Sequence, residues 1–449
     1  MVNLSPTPRP LAIKRRYLSL APFWGMFTVF FAASVGTYVI QVQAVVYLEE
    51  AGYPPLAGGA RMIPGEMTAE QQAIRDAIQR VMEPFDDAYW LERDETHTFP
   101  HDYRAAVGEG GWLGIAMPEE FGGAGLGVSE AVVMTEAVAN SPGAMTAASA
   151  IHLNIFGPQA IVKHGSAEQK AEWLPPVISG ELVTCFGVTE PDAGLDTTRI
   201  KTAARREGGD YVIDGRKIWT SVAQQAARVL LLARTAEYDL ANPTAGLSLF
   251  FTELDPRHVE IREIPKMGRH GINSNMVFYD GLRVPARDRI GEEGRGFRYI
   301  LDSLNPKRCL IAAEAIGVGR QALGRVAQYA REREVFRRPI GQNQAVQHPL
   351  AESWAELEAA WLMVLRAAAL YDAGAPCGAE ANAAKYLGAE AGYRACERAV
   401  LTHGGMGYAR EYHVERLLRE VWVNRLAPVS QQLILCHIAE KVLGLPKSY

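Results

Sequence analysis

Two short runs in the 449-residue sequence carry side chains suited to chemistry: Gly187-Val-Thr-Glu-Pro-Asp-Ala-Gly194 and Lys217-Ile-Trp-Thr-Ser221. The first reads as a strand that ends in a Thr and then a Pro/Gly turn. The second reads as a strand that ends in Trp, Thr and Ser. Between them, Tyr211-Val-Ile-Asp-Gly-Arg-Lys-Ile-Trp219 places apolar residues on both sides of Asp214-Gly215, which predicts a tight two-residue hairpin turn at that pair. Two strand ends with hydroxyls, backbone N–H groups and an indole suit a flat heterocycle with a polar edge. The indole covers a ring face, and the N–H and O–H groups donate to edge atoms that gain electron density on reduction.

Three further segments follow in order: Arg333-Glu-Val-Phe336, Arg338-Pro-Ile-Gly-Gln-Asn-Gln344 and Gly404-Gly-Met-Gly-Tyr-Ala-Arg-Glu411. Arg is a fixed donor fork for pyrophosphate, and paired glycines let a backbone approach a ligand closely. Together with the first two runs, these segments resemble the acyl-CoA dehydrogenase flavoprotein family from Met67 to Tyr449. The resemblance implies FAD as cofactor, an acyl-CoA thioester oxidised at its Cα–Cβ bond, an electron-transferring flavoprotein as partner, and a homotetramer or homodimer. It implies that Phe186, Val188 and Thr189 lie against the flavin, that Trp219 packs by its ring, and that Ser221 supplies a hydroxyl near N5. Arg333, Phe336 and Gln344 would hold the adenosine and pyrophosphate across a subunit interface, with Gly404 and Gly405 at the same site and Ser430 and Gln432 as later FAD contacts.

The sequence also departs from that family. Leu401 stands where the family has an acidic residue or Gln, Leu195 where it has Ser or Thr, and Arg337 where it has Gly. Each change removes or crowds a polar contact, so altered FAD binding is expected. Family members carry a catalytic Glu at one of two places, and those places hold Pro428 and Lys307 here. A neutral Lys307, with its pKa lowered by burial, is one candidate base. Glu314 is a second candidate, on the same helical face but about 10 Å along the axis, within reach only if the helix deforms at Pro306. Glu420 reads as half of the Arg-Glu ion pair that begins at Arg419. The wild-type chain is therefore expected to be slow on straight-chain acyl-CoAs, with Lys307→Glu faster. Alternatives from the same resemblance are desulfination or N-oxygenation, or an inactive paralogue that binds CoA esters.

The elements around these residues predict an α+β multidomain fold, consisting of a helical domain (67–181), a central β domain (182–290) and a C-terminal helical bundle (291–449). Thr68-Ala-Glu-Gln71 fits a capping box, with Ile74, Ile78, Val81 and Phe85 on one face of the helix it opens. Expected strands are Leu182–Val188, Tyr211–Ile213, Arg216–Trp219, Val229–Ala233, Leu247–Leu254, Val259–Ile264 and Asn275–Val284. Apolar content of 48%, a net charge of −5 and no basic run alternating with aromatics give no reason to expect nucleic acid as a partner. Five cysteines without metal-ligand spacing read as reduced thiols, so no metal and a cytoplasmic place are expected.

Residues 1–66 differ from the rest. Tyr17 to Leu48 carries no charge, and Lys14-Arg-Arg16 precedes it, so the run is long enough to span a membrane of about 30 Å. Ala51-Gly-Tyr-Pro-Pro-Leu56 looks like part of a major-facilitator transporter, within a likeness assigned to residues 1–62. The expected reading is a fused or mis-started leader ahead of an enzyme beginning near Met62 or Met67, with a membrane anchor through 17–48 as its alternative.

Overall fold

In the computed structural model, which describes residues 67–448, Thr68 opens helix α1 (Ala69–Met82). Its hydroxyl accepts the Gln71 N–H at 3.0 Å, and the Gln71 side chain accepts the Thr68 N–H at 3.2 Å, the reciprocal cap that the spacing predicts. Helices α2 (Asp87–Thr96), α3 (His101–Glu109), α4 (Val128–Ala139), α5 (Ala144–Phe156), α6 (Gln159–His164) and α7 (Ala167–Ser179) complete the first helical part. Every residue of α5 is buried, and all but two of α4. Both are apolar nearly all round, which is why they sit at the centre rather than on the surface.

One mixed sheet follows, made of β1 (Thr184–Gly187), β2 (Ala203–Glu207), β3 (Asp210–Ser221), β4 (Arg228–Arg234), β5 (Leu247–Glu253), β6 (Val259–Glu263), β7 (Ser274–Val284) and β8 (Arg289–Ile290). The order is β6-β7-β3-β2-β4-β5-β8, with β1 parallel to β4. One sheet layer packs on α7 and its neighbours, with the Trp173 and Phe251 rings 5.1 Å apart. The remaining buried sheet residues join the core of the helices.

The hairpin expected at Asp214-Gly215 lies elsewhere. β3 runs unbroken through that pair, and the two-residue turn is Gly208-Gly209, which joins β2 to β3 with Glu207 opposite Asp210. Gly208 has φ 65°, as such a turn requires. Asp214-Gly215 instead forms a bulge, marked by a register shift against β7. A Cβ on Gly215 would lie 2.6 Å from Thr202, and the Asp214 carboxylate accepts the Gly281 N–H at 2.8 Å. Strand β2 was not anticipated, because Arg205-Arg206-Glu207 hides its period.

The C-terminal part holds α8 (Gly296–Asp302), α9 (Leu304–Glu332), a short hairpin of β9 (Glu334–Val335) and β10 (Arg338–Pro339), and α10 (Gln344–Asp372), α11 (Gly378–His403), α12 (Val414–Leu426) and α13 (Gln431–Lys441). Pro306 sits in the first turn of α9, where its missing N–H costs nothing, so it starts the helix rather than bending it. Buried ion pairs join the three parts. Glu136 of α4 is fully buried between Arg75 of α1 at 2.6 Å and Arg320 of α9 at 2.8 Å. Asp94 of α2 takes Arg419 of α12 at 2.7 Å. Asp372, ending α10, accepts the Val128 and Ser129 N–H groups at 2.8 Å and so caps α4. Among the described residues no helix is long and apolar enough to cross a membrane. Residues 17–48, for which a span was considered, lie outside the described residues.

Candidate functional site

The loop after β1 is held by a buried pair. Lys217 of β3 is fully buried, and its Nζ donates to Val188 O at 3.0 Å and to Glu190 Oε1 at 2.8 Å. Glu190 also accepts the N–H groups of Lys201 at 2.6 Å and Thr202 at 2.9 Å. Burial pushes the Lys217 pKa down to about 8, with Glu190 pulling the other way. Burial works against ionisation of Glu190 too, but Lys217 and the N–H donors outweigh it and hold the carboxyl below its usual range. One residue on, the Ile218 N–H donates to Thr189 O at 2.9 Å. Val188, Thr189 and the end of β3 are thereby fixed side by side.

Trp219 occupies a second β3 bulge, between Lys217 and Thr220, with φ 61°. A positive φ is strained for any residue but Gly. Its effect here is to turn the indole outward: Trp219 is 56% exposed, between the half-buried Thr189 and Ser221. An open indole face flanked by two hydroxyls and strand N–H groups fits a flavin ring.

Lys307 meets this set through Phe186. Its N–H makes the first-turn bond of α9 to Ser303 O at 3.2 Å. Its Nζ lies 4.7 Å from the ring centroids of both Phe156 of α5 and Phe186 of β1. Ring faces attract a cation but accept no ordinary hydrogen bond. Burial pushes the Lys307 pKa down to about 8, Glu314 opposes that, and Arg308 adds to it. The amine is therefore partly neutral near physiological pH.

Glu314 is fully buried two turns further along α9, with Oε1 2.7 Å from His152 Nδ1 and Oε2 without a partner. His152 escapes notice in the sequence, since its partner is 162 residues away. The one local signal is its spacing along α5 from Ser149 and Phe156. Ser149 accepts the buried Arg269 guanidinium at 3.0 Å. Glu420 accepts the Thr146 N–H at 3.0 Å, the Thr146 hydroxyl at 2.8 Å and Arg416 at 3.1 Å. Its cation is thus Arg416, one turn earlier, and not the adjacent Arg419, which holds Glu415 and Asp94.

The remaining predicted residues belong to the C-terminal helices. Arg333 is exposed, and its guanidinium has no acceptor among the described residues. Phe336 and Arg337 form the β9–β10 turn with φ 54° and 66°, which leaves Phe336 94% exposed. Arg337 thus stands at a backbone position that favours Gly. Gln344 begins α10 and is exposed. Gly404 ends α11 at φ 62°, and a Cβ on Gly404 or Gly405 would meet nothing within 4 Å, so the backbone is open to a ligand. Ser430 caps α13 by accepting the Leu433 N–H at 3.3 Å, with Gln432 exposed beside it. Val335, Phe336, Arg338, Arg398 and the exposed Leu401 line a groove of about 810 Å³. No hydrogen bond joins these residues to the Trp219 set among the described residues.

The chain thus has a helical, β, helical order, an open indole at a bulged strand end and a pinned loop beside it. The chain belongs to the acyl-CoA dehydrogenase family: its N-terminal, middle and C-terminal domain models match residues 68–181, 185–282 and 294–443. Acyl-CoA dehydrogenase FadE12 of Mycobacterium tuberculosis is 37% identical over 386 residues, covering 85% of this chain and 97% of that protein. Among solved structures, the glutaryl-coenzyme A dehydrogenase–glutaryl-CoA complex matches at TM-score 0.81 and 29% identity, over 85% of this chain and 97% of that one. Butyryl-CoA dehydrogenase from Megasphaera elsdenii matches at TM-score 0.80 and 25% identity, over 84% and 99%. The family's cofactor is FAD, and the open indole and glycines of this chain fit it. The likeness of residues 1–62 to a transporter is not borne out, since the matched domains begin at residue 68.

Proposed function

We propose that this acyl-CoA oxidoreductase removes the α and β hydrogens of an acyl-CoA thioester with neutral Lys307 as the base. FAD, when bound, would supply the acceptor for the β hydride and its electron pair. Lys307 receives the α proton on Nζ and becomes an ammonium, which the faces of Phe156 and Phe186 then stabilise. Trp219, Thr189 and Ser221 present one indole face and two hydroxyls to the flavin ring. The loop that carries Thr189 is held by Lys217 and Glu190, so these groups are in place before substrate arrives.

The observation that carries this reading is the half-buried amine between two aromatic rings, one of them on the strand that leads to Thr189. Its pKa of about 8 leaves enough free base to work. The test is anaerobic flavin reduction by a panel of acyl-CoA thioesters. Wild type should reduce, and Lys307→Ala should be slower by about 10² to 10⁴-fold. A slow wild type that Lys307→Glu accelerates would instead make Lys307 the cause of weak dehydrogenation. Equal rates in wild type and Lys307→Ala would place the base elsewhere or favour a different flavin reaction.

Electrons would leave to an electron-transferring flavoprotein. We also infer that a second copy of the chain covers the Phe336–Leu401 groove, giving a homodimer or homotetramer. A nearly bare Phe at a hairpin tip, beside an exposed Leu, supports that reading. Light scattering that returns the mass of one chain would overturn it. The five free cysteines suit a reducing, cytoplasmic setting.

A further inference from the structure

We propose that Glu314, held by His152, is a positioning residue for Lys307: its buried carboxylate is the counter-charge that decides whether the amine keeps its proton. This rests on the reading of Lys307 as the base. Lys307 and Glu314 lie two turns apart on one face of α9, and His152 and Phe156 lie one turn apart on one face of α5. Packing α5 on α9 sets them two against two, with His152 on Glu314 at 2.7 Å and Phe156 on Lys307 at 4.7 Å. The His152 and Phe156 rings are themselves in contact, 5.3 Å between centroids.

The charges around this square are few. His152 faces Glu314 from α5, Arg269 faces it from the segment between β6 and β7, and Lys307 faces it from its own helix. Arg269 acts more strongly with Glu420, which lies beyond it. Arg308 is the other charge that acts on Lys307, and it is repulsive. Among the described residues, Glu314 is therefore the one carboxylate that favours the protonated amine. Its Oε1 is taken by the imidazole, while its buried Oε2 has no donor. A carboxylate in that state exerts its charge through a poorly screening interior. The rings that touch Nζ attract a cation but cannot accept its protons as an oxygen would. Without Glu314 the amine would lose its proton too readily and hold the one taken from substrate too weakly.

The sequence offers Glu314 as a substitute base. Full burial and the hydrogen bond to His152 fit a fixed counter-charge better than a group that must reach substrate.

The test is a titration of Lys307 that needs no turnover. FAD-loaded protein without substrate is labelled with trace acetic anhydride across a pH series, and acetylation of the Lys307 peptide is quantified by mass spectrometry. Wild type should give a midpoint of about 8. Glu314→Gln should lower it by about one unit, the effect of losing an opposite charge about 10 Å away at an effective dielectric of about 20, and Glu314→Asp should return it toward wild type. His152→Asn, which frees the carboxylate from its anchor, should also lower it. The same midpoint in wild type, Glu314→Gln and His152→Asn would overturn the proposal. Where Glu314→Gln does not fold, wild type and His152→Asn still decide it: an unchanged midpoint in His152→Asn overturns it. A Lys307→Ala variant that keeps full activity would refute the base while leaving this titration untouched, so the two failures are separable.

Discussion

The Nζ of Lys307 and the ring of Phe186 lie 4.7 Å apart, and they join the first turn of a C-terminal helix to the strand that leads into the flavin loop. An amine held this way should report its state in the kinetics. Burial sets its pKa at about 8, below the ordinary lysine value, so the free base grows as pH rises through that value. The rate of flavin reduction should therefore climb with pH and level off above about 9. Stopped-flow reduction from pH 6.5 to 9.5 measures it. A rate that falls over this range would be the wrong sign for a lysine base.

The Lys217–Glu190 pair makes a separate prediction. Removing one partner of a buried pair strands the other, at a cost of about 3 kcal/mol. Lys217→Met should lose about that much stability and weaken FAD binding, since Val188 O loses its donor as well. Denaturant melts and flavin fluorescence titration check both effects. In wild type the folded Lys217 binds its proton less tightly than an unfolded lysine does. Its contribution to stability therefore rises from pH 8 toward 10.

Glu136 offers a control remote from flavin chemistry. It pairs with both Arg75 and Arg320 with no exposure of its own, and Arg320 also pairs with Glu358. Glu136→Gln should cost about 3 kcal/mol, seen as a lower melting temperature, while the pH profile of flavin reduction keeps its midpoint.

Arg337→Gly should move stability the other way. Arg337 sits at φ 66°, where a Cβ costs about 1 kcal/mol. Glycine there should raise the unfolding free energy by up to about 0.5 kcal/mol, after its larger unfolded-state entropy is counted. A drop in stability would mean that the Arg337 side chain contributes more than its backbone conformation costs.

A chain beginning at Met67 should fold and bind FAD. The capping box at Thr68 opens a helix whose buried face joins a core that runs from Ile74 to Val421. Far-UV circular dichroism and flavin absorbance of that protein check it.

The order of helical, β and helical parts was legible in the sequence because apolar spacing changes near Leu182 and again near Phe297. The Thr68 cap was legible because both partners lie within one turn. Asp214-Gly215 misled because two candidate turns compete within eight residues, and the close approach of Thr202 to Gly215 decides the matter only in three dimensions. Phe186 and Lys307 could each be named from motifs, but their contact could not. His152 and Glu314 are separated by 162 residues, and neither sits in a pattern that announces the other.

Helix α5 carries three polar side chains at a spacing of three, and each engages an ionic residue from a different element: Thr146 with Glu420, Ser149 with Arg269, and His152 with Glu314. These three attachments work as the wards of a key. Sliding α5 by one residue would turn its face by about 100° and misalign all three at once. The helix therefore has one admissible setting, and Phe156, at its end, inherits that setting as a fixed wall against Lys307. Thr146 lies three helical turns from Phe156, so an exchange there can alter the surroundings of the amine without touching it.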